Sequence, residues 1–357
     1  MTNTKTHFHT FDALRFFSFL LVFLHHSPFE KPAIIEYFTK SGGIGVSFFF
    51  VLSGFLITYL LLNEKKSRES ISLKNFFIRR ILRIWPLFYA MILFAFLTPF
   101  LLSALNFSFS DEGYEPNWLM SVLFLENYKM MLEQQLPDVS PLPVMWSLCI
   151  EEHFYIIWGL CLYYIPCKKV PLLLLISIVI ANSARIFYYL KGIPTLDLFS
   201  NLDFFAFGAI PAYWLLFSEN YIRKFEKIRF SVRIMLVFIT LVIVIISPHI
   251  ELPYINLISM PVLAILFSML ILFTITEKNS IFISQDSVLS KLGIYTYGLY
   301  LIHTIVINLV VRLSPVLSFQ MNWLSGGLVS LILTILISIA SYNMFERQFL
   351  KLKKYFY

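Results

Sequence analysis

The stretch RFFSFLLVFLHH, Arg15 to His26, places a permanent cation at one end and two histidines at the other of a segment otherwise built from Phe, Leu, Val and Ser. Apolar runs of this kind recur along all 357 residues, of which 58% are hydrophobic and only 14% charged. That is membrane composition rather than soluble-domain composition. No polar stretch is long enough for a globular unit, so residues 1–357 read as a single membrane domain with no additional soluble domain. A formal charge of +7 would suit nucleic-acid binding if it formed a stripe, but the basic residues fall in short bursts between apolar runs, as topology requires. Cys149, Cys161 and Cys167 lie on or beside one apolar segment without a CxxC pair, and read as small apolar fillers. Neither a metal nor a disulfide is expected. One lysine, Lys5, precedes the first run and no small-residue cleavage site follows it, so that run reads as an uncleaved first span.

A crossing helix needs about 20 mostly apolar residues. Such windows fall at Phe11 to Ser27, Gly43 to Leu62, Ile84 to Leu105, Trp146 to Ile165 and Val170 to Tyr189. Five more follow at Phe199 to Phe217, Ile234 to Pro248, Leu257 to Thr276, Leu292 to Val311 and Trp323 to Phe345. The expected fold is therefore all-α, a bundle of about ten transmembrane helices. With the N-terminus inside, the inner segments hold 21 of the 28 Lys and Arg, among them Lys65, Lys66, Arg68, Arg79, Arg80, Arg83, Arg223, Lys224, Lys227 and Lys353. The outer loops hold Lys31, Lys40, Lys129, Lys191 and Arg312. Both termini are thus expected in the cytoplasm. The longest outer loop, Asn106 to Met145, is acidic and ends in PDVSPLPVMW, long enough to cover an opening between helices. No internal repeat is visible.

Ionisable groups within spans are costly and usually face a bundle interior. Arg15 and His26 are eleven residues apart, three turns plus about 20° and roughly 16 Å along the axis, so they share a face, while His25 points about 100° away. The bland alternative is snorkelling, with Arg15 paired to Asp12 at i, i+3. WSLCIEEHFY opens the fourth window, placing Glu151, Glu152 and His153 toward the outside, near the depth inferred for His26. A carboxylate beside an imidazole fixes its tautomer, as a general base requires. FFIRRILRIWP puts Arg80 and Arg83 three apart on one helix face at the cytoplasmic mouth; the positive-inside rule alone would place arginines there, but a guanidinium pair also suits phosphate. Ser53, beside Gly54, reads mainly as a close-packing residue. With Tyr155, Asp203, Tyr300 and His303 it completes the candidates for lining a substrate pocket. Glu346 reads as a local ion pair with Arg347.

FDALRFFSFLLVFLHH, GGIGVSFFFVLSGFLIT, RRILRIWP, WSLCIEEHFYIIW, GIYTYGLYLIH and the final FERQF, in that order, resemble acyltransferase family 3, bacterial membrane acyltransferases that mostly O-acetylate surface glycans. The resemblance covers nearly the whole chain. It implies a multi-pass protein of the cytoplasmic (inner) membrane that carries an acyl group, most often acetyl, from cytoplasmic acyl-CoA to a surface or lipid-linked glycan. Carried over by position, Arg15 and His26 match the family's essential pair, Arg80 and Arg83 its proposed CoA-phosphate site, and Glu152 the acid of its Trp-Ser-Leu segment. His153 stands where many members have Gln, and Ile302 to Thr304 where many have Trp-His-Trp, departures that touch the acceptor pocket. His26 would serve as general base or as a transient acyl carrier. A proton-coupled transporter of a sugar or lipid-linked intermediate, using His26, Glu152, Asp203 and His303 as a relay, is the alternative from another class.

Overall fold

The computed structural model describes residues 8–104, 113–252, 254–316 and 321–356. Lys5, the Leu105 end of the third window, and Asp111 and Glu112 of the acidic loop lie outside the described residues. Among the described residues every regular element is a helix. It begins with α1 (His9–His26), α2 (Ala33–Thr39), α3 (Gly42–Arg68) and α4 (Leu73–Ala104). The acidic loop holds α5 (Trp118–Val122) and α6 (Glu126–Glu133), followed by α7 (Trp146–Tyr164), α8 (Val170–Lys191) and α9 (Leu198–Phe217). Then come α10 (Glu219–Glu226), α11 (Phe230–Ile246), α12 (Ile255–Ile275), α13 (Val288–Gly293), α14 (Thr296–Val316), α15 (Trp323–Ser341) and α16 (Arg347–Leu352).

Among the described residues the ten apolar windows fall on helical segments, the ninth divided between two helices. Among the described residues, seven stretches are long and apolar enough to cross a membrane: Ala33–Arg68, Leu73–Ala104, Cys167–Lys191, Phe230–His249, Ile255–Ile275, Thr296–Val316 and Trp323–Phe356. The other three windows form α1, α7 and α9, of 18, 19 and 20 residues. At 1.5 Å per residue each spans roughly 27 to 30 Å. Their sequences carry Asp12 and Arg15, Glu151 to His153, and Asp203, which is why hydropathy sets them apart.

Several boundaries differ from those expected. α4 starts at Leu73, well before Ile84, and runs through Pro86 and Pro99. The Arg-x-x-Arg pair therefore lies well inside a helix, roughly 10 and 15 Å from its first residue. The ninth window is broken: α13 ends at Gly293 and α14 starts at Thr296. Gly293 is pressed against α1 so tightly that a Cβ there would lie 1.9 Å from the Asp12 carbonyl oxygen.

Two compact units are interleaved along the chain, residues 1–69, 165–182 and 202–296 forming one and 70–164, 183–201 and 297–357 the other. In the first, α3 meets α9 through reciprocal glycines. A Cβ on Gly54 would lie 2.1 Å from the Phe205 oxygen, and one on Gly208 1.9 Å from the Val51 oxygen. Phe50 and Phe205 stack beside this crossing with centroids 4.9 Å apart. Lys66 donates to the Leu216 carbonyl at the C-terminal end of α9, satisfying one of its orphan acceptors. Arg233, counted among the inner cations, is fully buried: it donates to the Ile228 and Phe225 carbonyls and to Thr276 Oγ1, and lies over the Phe273 ring. It clamps the turn between α10 and α11.

In the second unit, α4 packs on α5, α7 and α16. Phe88 stacks on Phe124 with centroids 3.9 Å apart, and Tyr89 donates to the Val122 carbonyl at 3.1 Å. The acidic loop is organised around buried Glu126, which accepts from Tyr114 at 2.8 Å and Ser121 at 2.7 Å. Ser140 donates to Thr304 at 2.7 Å, tying the proline-rich segment to α14.

Candidate functional site

In the first unit the polar candidates cluster on α1. Arg15 Nη1 donates to Asp12 Oδ1 at 3.0 Å, the i, i+3 pair weighed from the sequence. His26 Nδ1 lies 2.9 Å from the Val22 carbonyl oxygen. A carbonyl can only accept, so Nδ1 carries the proton, and in the neutral ring Nε2 keeps the lone pair. A main-chain carbonyl one turn back thus sets the tautomer, a role expected of a carboxylate. His25 Nδ1 donates to the Thr39 carbonyl at 3.0 Å. A Cβ on Gly42 would lie 2.2 Å from the Cβ of His25, so that histidine staples α1 to the α2–α3 junction. Ser53 is half-buried on α3, next to the glycine that meets Phe205. Asp203 is fully buried, its Oδ1 accepting from the Phe204 amide at 2.9 Å.

In the second unit, Trp85 Nε1 donates to Glu152 Oε2 at 3.3 Å, and Arg80 acts on the same carboxylate electrostatically. Glu152 therefore lies level with the Arg-x-x-Arg turn, where the sequence had set it toward the outside and the arginines at the cytoplasmic mouth. α4 begins at Leu73, so the arginines lie within a helix rather than at the start of one. Glu151 accepts from Tyr155 at 2.8 Å, so the two adjacent acids have separate partners. His153 stacks on Tyr128 with centroids 5.5 Å apart.

Tyr300 and His303 belong to one buried chain of hydrogen bonds. Tyr300 donates to the Val144 carbonyl at 2.8 Å and lies 2.8 Å from Ser147 Oγ, while His303 Nδ1 donates to the Tyr300 carbonyl at 2.6 Å. Glu346 is not the local partner of Arg347 that the sequence suggested. Residues Tyr342–Glu346 form a π-turn that carries Glu346 inward, where it accepts from Ser341 at 3.3 Å and is coupled to Arg83. Gly298 leaves room for it, since a Cβ there would lie 3.3 Å from Glu346 Oε1. Trp85 and Tyr297, which donates to the Ile84 carbonyl at 2.6 Å, are further members of this site that no polar-residue count would find. Their visible signals were the tryptophan of RRILRIWP and the tyrosines of GIYTYGLYLIH. Among the described residues, no group of three or more His, Cys, Asp or Glu could hold a metal ion.

Comparison with known proteins adds three findings. Residues 8–343 match the acyltransferase domain family Acyl_transf_3. The chain is 37% identical over 171 residues to the peptidoglycan O-acetyltransferase OatA of Listeria monocytogenes, covering 46% of this chain and 26% of that protein. It is 34% identical over 193 residues to YrhL of Bacillus subtilis, provisionally named a peptidoglycan O-acetyltransferase, covering 50% of this chain and 28% of that one. The match thus spans little more than a quarter of either relative's length. No solved structure matches.

Proposed function

The chain belongs to acyltransferase family 3, and on that premise we propose that it is a membrane O-acyltransferase carrying an acyl group, acetyl first among candidates, from cytoplasmic acyl-CoA to a glycan hydroxyl. It works as one membrane domain of about ten crossings in the bacterial cytoplasmic membrane, with both termini inside. The names of the two relatives point to peptidoglycan-type glycan as the first acceptor to test.

The observation that carries this reading is the fixed tautomer of His26, which leaves Nε2 as the basic atom. Nε2 takes the proton of the acceptor hydroxyl as its oxygen attacks the thioester carbonyl. The tetrahedral oxyanion then collapses, the C–S bond breaks, and the departing thiolate receives the proton from the imidazolium. Within their own units, Arg15 steadies developing negative charge, Glu152 supplies a buried acid, and Arg80 and Arg83 bind donor phosphate. Ser53 and Asp203 in the first unit, and Tyr155, Tyr300 and His303 in the second, are the further candidates for contact with substrate.

Proteoliposomes given acetyl-CoA and a glycan acceptor test the reading. Wild type is expected to release free CoA thiol and acetylate the glycan. His26→Ala is expected to retain acetyl-CoA binding while losing transfer, and Arg80→Ala with Arg83→Ala to lose binding. Full transfer by His26→Ala removes the base assignment; solute movement without thiol release shows a transporter.

A further inference from the structure

α10 is joined to α9 by Ser218 alone and to α11 by residues 227–229. With α9 and α11 crossing as proposed, it lies at the membrane boundary, on the cytoplasmic side. The helix is amphipathic in the manner of an interfacial one. Ile222 is buried, Phe225 lies against Trp214 with ring centroids 5.9 Å apart, and Tyr221 stacks on the same tryptophan at 5.0 Å. On the opposite face Asn220, Arg223, Lys224 and Lys227 follow the i, i+3, i+4, i+7 spacing, which keeps them within about 100° of one another round the axis. These four and Tyr221 line an open hollow of about 540 Å³. Among the described residues its lining holds three cations and no carboxylate.

The two acids of α10 act elsewhere. Glu219 accepts from Arg223 at 3.1 Å and balances that guanidinium. Glu226 accepts from the Glu277 amide at 3.1 Å and acts on the buried Arg233, and it lies at least about 100° round the helix from both lysines. Lys224 Nζ is 5.1 Å from the Tyr221 ring centroid, a contact that keeps the ammonium beside the hollow. Lys224 and Lys227 thus bring two positive charges to a cavity at the membrane boundary. The anion that a leaflet presents there is the lipid phosphodiester, and such a surface attracts basic side chains. We propose that this hollow holds the headgroup of an anionic phospholipid of the phosphoglycerol type, its phosphodiester between Lys224 and Lys227 and its hydroxyls toward Asn220 and Tyr221. None of these residues takes part in the acyl transfer proposed above, and the site stands or falls apart from it.

The test titrates the full chain, in a nonionic detergent, with phosphatidylglycerol, phosphatidylcholine or inorganic phosphate and follows the melting temperature. Phosphatidylglycerol is expected to raise it along a saturating curve, while phosphatidylcholine, whose choline cancels the phosphate charge, and inorganic phosphate leave it unchanged. Lys224→Gln with Lys227→Gln is expected to move that curve to roughly 30-fold higher lipid, the worth of two basic residues at an anionic surface, and Lys224→Arg with Lys227→Arg to restore it. Lys168→Gln with Lys169→Gln removes the same charge from exposed positions outside the hollow and is expected to leave the curve in place. Absence of a saturating rise with phosphatidylglycerol, an equal rise with phosphatidylcholine or inorganic phosphate, or an equal shift in the two glutamine variants overturns the proposal. The comparison of the three additives needs no variant, so it decides the matter even where a double variant fails to fold.

Discussion

Trp85 and Glu152 separate hydrogen bonding from charge at the level of single side chains. Trp85→Phe keeps an aromatic ring, though a smaller one, and removes the donor, leaving a buried carboxylate oxygen without that partner, an expected loss of about 1–3 kcal/mol visible as a lower melting temperature in detergent. Glu152→Gln keeps an oxygen to accept from Trp85 and removes only the charge. Its stability should stay within about 0.5 kcal/mol of wild type while acyl transfer falls roughly 100-fold, within the usual range for a lost acid–base partner. A Glu152→Gln protein that turns over normally would remove the acid from the mechanism. The acid itself was legible in WSLCIEEHFY, because ionisable groups stand out in an apolar run. Its partner was not, since one tryptophan among six gives no sign of where its indole points. The tautomer of His26 was equally hidden: its determinant is a main-chain oxygen, which every residue carries.

Helices approach closely only where side chains are small, and the crossing of α3 and α9 depends on this. Gly54→Val and Gly208→Val each force a side chain into the opposing main chain, which cannot move as a flexible side chain can. Each should cost at least about 3 kcal/mol, the upper end for overpacking, and appear as loss of the folded peak on size exclusion after mild heating. Gly43→Ala, on the same helix with nothing within 4 Å of the added Cβ, should leave that peak unchanged. Ser53 beside Gly54 was readable as a packing position, but its partner around Gly208 was not, because sequence spacing carries no information about which helix lies opposite. The π-turn before α16 escaped for a related reason. One extra residue in a turn rotates everything after it, so Glu346 swings toward Arg83 although Arg347 is its neighbour in sequence.

The number of membrane crossings turns on α1, α7 and α9, and parity gives a clean way to decide it. These helices combine enough length with too many polar groups for hydropathy to select them, and they carry Arg15 and His26, Glu152, and Asp203. A charged group near the centre of a span costs about 2.5–3.5 kcal/mol on insertion scales, so a crossing helix that holds one must bury it against protein. Asp12, Glu152 and Asp203 are indeed buried. A helix that crosses leaves its two flanks on opposite faces of the membrane; one that does not leaves them on the same face. In a cysteine-free background, Gln134→Cys and Lys168→Cys flank α7, and Gly192→Cys and Lys227→Cys flank α9. With ten crossings, a membrane-impermeant maleimide added from outside should label residues 134 and 192 in intact cells and reach 168 and 227 only after permeabilisation. Labelling both members of a pair from the same side would show that the intervening helix does not cross. For α7 that outcome would take Glu152 out of a transmembrane setting and remove the argument that its charge was worth the cost of insertion.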